Sequence, residues 1–226
     1  MIVVDARVHA KYLNFTNAYT LFIPEAMADG KRFPLVLCLH DLEKDRWRCM
    51  QKGNLEELAE RLEVALVMPD GRRSCFLNMA HGPRWNDYLL QELAVQLCNT
   101  FPIESGNVGV IGAGTGALGA LALAGQGIPC VLVEPEIRDI EGRDSRRWPR
   151  EAEWRGVFEG RREDWKPSYW QDVYGVIAGG EVAVNRTEEL LELFHWKKLY
   201  YEDSSGEQWA AGLTELAGRM GKERKV

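Results

Sequence analysis

The most constraining feature of this sequence is the segment 108–119, VGVIGAGTGALG, in which an apolar strand runs into a glycine turn and then into a helix. The helix that follows the turn is rich in alanine and leucine. Near-continuous apolar strands are typical of parallel sheets that are covered by helices on both faces. The segment therefore predicts an α/β protein with the glycine turn at the carboxyl end of a central strand.

The rest of the chain repeats this alternation of strands and helices, after a predicted antiparallel pair around the turn at 14–17. It predicts one domain, residues 1–226, with a mostly parallel sheet of about eight strands and helices on both faces. Residues 135–170, where tryptophans are scattered among arginines and glutamates, break the alternation and predict a cap-like insertion. The predicted strands are Ile2–His9, Ala18–Ile23, Phe33–His40, Val64–Met68, Val108–Gly112, Cys130–Val133, Val173–Ala178 and Lys198–Glu202, and the predicted helices are Asn54–Arg61, Asp87–Cys98, Thr115–Ala124, Glu188–Phe194 and Gln208–Arg219.

Charge and cysteine content exclude several classes of function. The chain has 28 Lys and Arg residues against 34 Asp and Glu residues, a net charge of −6, and no basic stripe, so no nucleic-acid partner is expected. Neither a signal pattern nor an apolar run of membrane-spanning length is present, so no membrane association is expected. The five cysteines form no C-x-x-C pair, which favours a reducing, cytoplasmic location.

The glycine turn fits two different chemistries. In the nucleophile elbow G-x-S-x-G, a serine stands on a sharp strand-to-helix turn, and here the frame 112–116 places Gly114 at the serine position. In a dinucleotide-binding fingerprint, Gly114, Gly116 and Gly119 would form G-x-G-x-x-G, with Glu134 on the ribose. About four predicted strands precede this turn, whereas the fingerprint usually follows the first strand. This order favours the elbow.

The segments outside the turn resemble one known family. The sequence is similar to the tributyrin-esterase and S-formylglutathione-hydrolase-like group of α/β-hydrolases, the esterase D type. The resemblance implies the α/β-hydrolase fold and descent from serine carboxylesterases. The matching segments are YTLFIPE (19–25), FPLVLCLHD (33–41), VALVMPDGRRSCFLNMAHGPRWNDYLLQEL (64–93), FPI (101–103) and EWRGVFEGRREDW (153–165).

Matching this family's catalytic triad onto the chain finds neither the serine nor the histidine. Gly114 replaces the serine, so no acyl intermediate can form there. Glu207 falls at the position of the histidine, with Trp209 as the aromatic residue that follows it. The acid of the triad corresponds to Glu181 or Val182. The resemblance therefore implies a member of the family without the catalytic triad.

The region expected to form the oxyanion hole and the acyl pocket is altered as well. The family's His-Gly pair becomes His40-Asp41, which brings a carboxylate to the loop that should donate hydrogen bonds to a developing negative charge. Asp41 and Glu207, with Glu181, would make the mouth of the pocket anionic. The residues assigned to this region are His40, Asp41, Leu42, Asn78, His81, Thr115 and Trp209.

We therefore expect a catalytically inactive esterase homologue that binds a small molecule or a protein partner through the former active-site cleft. Two alternatives stay open: an active hydrolase of short acyl esters with an atypical site, and a dinucleotide-binding protein. No cofactor is expected, and no ligand spacing such as H-x-x-x-H supports a metal site. Family members often associate with themselves, so a homo-oligomer is expected by analogy.

Overall fold

Eight strands form one sheet in the computed structural model, which describes residues 1–26, 30–41, 54–72, 74–79, 81–135, 175–179, 197–200 and 205–222. The strands are β1 (Ile2–Ala10), β2 (Phe15–Ile23), β3 (Phe33–Leu39), β4 (Ala65–Pro69), β5 (Ile103–Ala113), β6 (Cys130–Val133), β7 (Gly175–Gly179) and β8 (Lys197–Tyr200). Their order across the sheet is β1-β2-β4-β3-β5-β6-β7-β8. β2 pairs antiparallel with both β1 and β4, and all other neighbours are parallel. The prediction of a mostly parallel sheet of about eight strands is confirmed.

Helices cover both faces of this sheet. α1 (Leu55–Leu62) and α4 (Ser205–Lys222) bury apolar side chains against one face. On the other face lie α3 (Gly116–Ala124) and α2, which consists of a helical turn Trp85–Asp87, a π-helical stretch Tyr88–Leu93 and an α-helix Ala94–Thr100 in direct succession. Within the described ranges, no helix is long and apolar enough to cross a membrane.

The observed bounds differ from the predicted ones in two instructive places. β5 begins at Ile103 rather than Val108, because Ile103 pairs with Phe33 although the next residues are polar or glycine. Asn54, at which the sequence predicts this helix to begin, adopts a left-handed backbone conformation before α1, and its side-chain amide contacts Glu57 instead of capping a backbone N–H group. The predicted helix 188–194 lies outside the described residues. So does nearly all of the predicted insertion 135–170, which stays a prediction along with the single-domain assignment.

The parallel strands bring their carboxyl ends to one edge of the sheet. β3 ends beside β5, with Leu39 opposite Gly112, and β5 ends beside β6, with Ala113 opposite Val133. The residues that directly follow these strands are therefore neighbours. Ligands of open α/β sheets bind at this edge, so the candidate site is built here.

Candidate functional site

The turn between β5 and α3 has the backbone geometry of an elbow. Gly114 has a φ of +53°, in the left-handed region that glycine enters at little cost. Its N–H group donates to the carbonyl oxygen of Val133, at 3.0 Å. A Cβ on Gly116 would lie 2.5 Å from the carbonyl oxygen of Leu39, so α3 packs directly on the end of β3. Close backbone packing therefore requires glycine at position 116.

The carboxylate of Asp41 occupies the space into which a nucleophilic side chain would project. A Cβ built on Gly114 would lie 2.6 Å from Cγ and 2.8 Å from Oδ1 of Asp41. Oδ1 accepts hydrogen bonds from the backbone N–H of Thr115, at 3.2 Å, and from its hydroxyl, at 2.8 Å. The N–H of the residue after the nucleophile is an oxyanion-hole donor in an elbow of this type. In this chain, that donor binds an internal carboxylate.

His40 is held by backbone groups through both ring nitrogens. Nδ1 lies 2.8 Å from the carbonyl oxygen of Asp41, and Nε2 accepts the N–H of Gly71 at 2.9 Å. Because a carbonyl oxygen can only accept, Nδ1 must carry the hydrogen. The buried ring also packs edge-on against Phe76, with centroids 5.3 Å apart. His40 therefore ties the end of β3 to the loop after β4, and neither nitrogen is left to take a proton from a nucleophile.

The loop after β4 packs tightly beneath this arrangement. The Ser74 hydroxyl donates to the carbonyl oxygen of Gly71, at 2.7 Å, and accepts the N–H of Phe76, at 3.0 Å. Cys75 and Phe76 both have positive φ, at 51° and 59°. Burial, together with the negative charge of Asp41, raises the pKa of the Cys75 thiol far above its ordinary value. A thiol that resists ionisation in this way is not an activated nucleophile.

A second polar pair joins the same edge through Glu134, the residue that follows β6. Nε2 of Gln208, in the first turn of α4, donates to Oε1 of Glu134 at 2.7 Å. Gln208 is 4 % exposed, and its Oε1 atom has no hydrogen-bond partner among the described residues. Glu134 itself has a φ of +44°, which is uncommon for a residue with a side chain. This pair lies one strand away from the Asp41 cluster.

The other residues assigned to the site have varied positions. Oδ1 of Asn78 accepts the N–H of Asn86, at 2.9 Å, so Asn78 caps the start of α2. His81 and Glu207 are exposed, and Trp209 is buried in the core on the α1 and α4 side of the sheet. The positions Leu42, Glu181 and Val182 lie outside the described residues. The roles matched to these residues stay predictions.

Sequence reasoning did not identify three residues that shape this edge. Gly71 and Phe76 are complementary, because a Cβ on Gly71 would lie 2.2 Å from the Phe76 ring. Gln208 stands next to the position matched to the histidine, and only its contact with Glu134 identifies it. For Gly71 and Phe76, the sequence does contain a signal, the PDG turn at 69–71. This turn ends β4 and therefore places the loop of both residues at the carboxyl edge of the sheet. Among the described residues, no group of three or more His, Cys, Asp or Glu side chains is arranged to hold a metal ion.

Comparison with solved structures identifies the fold. An S-formylglutathione hydrolase from Agrobacterium tumefaciens is 16% identical with a TM-score of 0.78, covering 97% of this chain and 95% of that chain. An S-formylglutathione hydrolase from Staphylococcus aureus is 18% identical with a TM-score of 0.72, covering 97% and 98%. A ferulic acid esterase from Anaeromyces mucronatus is 15% identical with a TM-score of 0.67, covering 96% and 89%.

Comparisons at the level of sequence add nothing to this likeness. No family model and no curated protein sequence matches the chain. At identities this low, the structural likeness establishes the architecture and leaves the activity open. The chain therefore has the α/β-hydrolase fold, as its resemblance to the esterase D type family implied.

Proposed function

We propose that this chain is a non-catalytic protein of the esterase-type α/β-hydrolase fold, which binds a small molecule or a protein partner at the carboxyl edge of its sheet. The observation that carries the proposal is the Asp41 carboxylate, packed against Gly114 and bonded to Thr115. This carboxylate fills the space that a nucleophilic side chain at position 114 would need. It also accepts the N–H group that would otherwise donate to an oxyanion. Acyl transfer needs both.

Electrostatics oppose ester hydrolysis at this site as well. The transition state of acyl transfer develops negative charge on the carbonyl oxygen, next to the N–H group that follows the elbow residue. A fixed carboxylate at that N–H repels such charge. His40, with both nitrogens bonded to backbone, supplies no general base, and Glu207 stands where the resemblance places the histidine.

Several features of this edge nevertheless support binding. Seven described residues other than glycine have positive φ, and four of them, Arg72, Cys75, Phe76 and Glu134, lie in the turns at this edge. Backbone strain of this kind clusters at ligand sites, at a cost of about 1–3 kcal/mol per residue. The carboxylates of Asp41, Glu134 and Glu207 bring negative charge to the edge. We therefore expect a ligand group that donates hydrogen bonds or carries positive charge.

The geometry also bears on the dinucleotide alternative. A pyrophosphate would need the N-terminus of α3, where the backbone N–H groups favour an anion. In this chain the Asp41 carboxylate already binds there. The spacing of the glycines has a packing cause instead, since a Cβ on Gly119 would lie 2.5 Å from Cβ of Phe76.

Hydrolysis is tested with p-nitrophenyl acetate and p-nitrophenyl butyrate, together with a fluorophosphonate probe and intact-mass measurement. We expect no turnover above the blank and no covalent adduct. Turnover or an adduct that disappears in Thr115→Ala would overturn the proposal and assign the hydroxyl of Thr115 as a nucleophile. Activity that survives in Thr115→Ala would overturn it equally and point to another group.

Binding is tested by thermal-shift titration with alkylamines and guanidinium compounds, and with short carboxylates of matched size. We expect the cations to raise the melting temperature of the wild type more than the carboxylates do. Asp41→Asn should lose this difference, whereas Glu63→Gln, which removes an exposed carboxylate before β4 at the opposite edge of the sheet, should keep it. Equal shifts for cations and carboxylates would contradict the proposed ligand chemistry.

A further inference from the structure

The edge strand β1 is long and regular. Its nine residues pair with β2 in an unbroken register from Ile2 opposite Ile23 to Ala10 opposite Phe15. Among the strands that the structure describes, β1 has β2 as its one neighbour. Proteins usually protect such an edge with charged side chains, especially lysine, with proline, with a bulge or by keeping the strand very short. β1 contains no proline, lysine or bulge, its two charged side chains Asp5 and Arg7 have opposite signs, and two of the exposed large hydrophobic residues, Ile2 and Val3, lie on it.

The hydrogen bonds of β2 show which backbone groups of β1 face outward. The carbonyl oxygen of Ala18 accepts the N–H of Asp70, so the main-chain groups of Ala18 face β4. Ala18 pairs with Arg7, and this pair is therefore of the non-hydrogen-bonded kind. The N–H and C=O groups of Arg7 point away from β2. By alternation along the strand, so do those of Val3, Asp5 and His9.

The side chains of these outward-bonding residues form a self-complementary pattern. Val3, Asp5, Arg7 and His9 lie on the exposed face of β1, while Val4, Ala6 and Val8 pack toward the core. In an antiparallel pair of two β1 strands related by a two-fold axis at Ala6, Asp5 lies opposite Arg7 of the second copy, twice. Directly opposed side chains of opposite charge stabilise a strand pair, and like charges destabilise it.

Charge selects this register over its neighbours. A shift that moves the axis to Asp5 places two aspartates opposite each other, and a shift to Arg7 places two arginines opposite each other. With the axis at Ala6, the outward groups of residues 3, 5, 7 and 9 meet those of 9, 7, 5 and 3. This arrangement forms about eight backbone hydrogen bonds. It also places Val4 of each copy opposite Val8 of the other.

We propose that β1 is a dimerisation edge, at which two copies of this chain join their sheets antiparallel about Ala6. Asp5 has a second carboxylate oxygen for the partner's arginine, because Thr20 donates to its Oδ1 at 2.6 Å. The arrangement is isologous, so each copy contributes the same strand, and the contact closes after two chains.

Sedimentation velocity of the full chain, over a wide range of protein concentration, tests the proposal together with a charge exchange. Arg7→Asp places two aspartates opposite each other across the interface, and Asp5→Arg places two arginines there, so each variant should weaken the dimer about tenfold or more. A mixture of the two variants places opposite charges at both pairs of positions, so it should form a heterodimer. The double variant Asp5→Arg/Arg7→Asp restores both pairs and should dimerise as the wild type does.

The reason that the mixture should form a heterodimer lies in the charges that each variant carries. One copy then carries aspartate at positions 5 and 7, and the other carries arginine at both, so each of the two contacts joins opposite charges. We therefore expect a heterodimer from the mixture, although each variant by itself stays largely monomeric.

The controls separate dimerisation from folding. Circular dichroism and urea midpoints of the monomers show whether each variant is folded, and Arg7→Asp is the cleaner variant because no side-chain bond of Arg7 is found within the described part of the chain. A wild type that stays monomeric at every concentration would overturn the proposal and leave the edge to an extended segment of another protein. Dimerisation that both single variants retain, or a mixture that stays monomeric, would overturn it too.

Discussion

The hydroxyl of Thr115 donates a 2.8 Å hydrogen bond to Oδ1 of Asp41, although 74 positions separate the two residues in the chain. Both residues are buried. The same oxygen accepts the backbone N–H of Thr115, so one carboxylate satisfies a side-chain and a main-chain donor. The end of β3 is thereby joined to the start of α3, at the place where an enzyme of this fold would keep a reactive group exposed.

Removing this carboxylate should destabilise the fold. Asp41→Ala removes an acceptor from the buried N–H and hydroxyl of Thr115, and we expect a loss of about 1–3 kcal/mol in the free energy of unfolding. Asp41→Asn keeps an acceptor oxygen and should lose less. Urea unfolding of the three proteins measures the series. An Asp41→Ala variant as stable as the wild type would show that the two bonds contribute nothing.

Introducing a serine at the elbow should be costly for two separable reasons. Gly114→Ser adds backbone strain, about 1–3 kcal/mol, and also displaces Asp41. Gly106→Ser is a matched control, because Gly106 has a φ of +79° and open space around it. We expect Gly114→Ser to destabilise more than this control, as measured by urea unfolding. In the double variant with Asp41→Ala, the two effects should not add.

Replacement by alanine should change the stability in opposite directions at two glycines that lie within helices. A Cβ on Gly119 in α3 would lie 2.5 Å from Cβ of Phe76 and 2.9 Å from the Cys75 carbonyl oxygen. We expect Gly119→Ala to destabilise by about 1–3 kcal/mol through overpacking. Gly218 in α4 has no atom within 4 Å of that position, so Gly218→Ala should stabilise by about 0.5–1 kcal/mol. Thermal unfolding with both variants checks the pair, and equal signs would contradict it.

Stability should fall in alkaline solution because of buried thiols. Burial raises the pKa of Cys130, so the unfolded chain releases this proton at lower pH than the folded chain does. The contribution of Cys130 to the free energy of unfolding is therefore fully present below about pH 8.5. Above that pH it is lost by about 1.4 kcal/mol per pH unit. Cys75 acts in the same direction, and Tyr88, whose pKa burial raises to about 12, extends the loss.

Urea unfolding of Cys130→Ala under reducing conditions, compared with the wild type from neutral pH to about pH 10, isolates one thiol. Above about pH 9, the free energy of unfolding of Cys130→Ala should fall less steeply with pH than that of the wild type. The difference should be about 1.4 kcal/mol per pH unit, which corresponds to one proton. Cys98→Ala serves as the control, since Cys98 is less buried and should alter the slope less. An unchanged slope in Cys130→Ala would contradict the prediction.

The order of strands and helices follows from local pattern, which is why the sequence predicts it well. VALVM, FPLVLCL and VGVIGA are apolar runs of strand length, and each became a central strand. The start of β5 was missed because Ser105, Gly106 and Asn107 carry no strand signal, and pairing with β3 extends the strand past them. Tertiary pairing overrides local preference in such places.

The content of the site is harder to predict than its location. The prediction that Gly114 stands at the position of a nucleophile rests on the five residues 112–116, and the prediction of a carboxylate near the oxyanion region rests on His40-Asp41. The bond from Thr115 to Asp41 depends on how two chain segments meet, which no periodicity encodes. The contact between Glu134 and Gln208 is of the same kind, because it joins the end of β6 to the first turn of α4.

The packing of Asp41 against Gly114 also limits how this chain could change in the course of evolution. A mutation to serine that occurred by itself would meet an occupied space, and selection for stability would remove it. The replacement of Asp41 would have to come first, through an intermediate with neither anion nor nucleophile at the elbow. Two substitutions in a fixed order are thus needed before a serine can stand at this elbow.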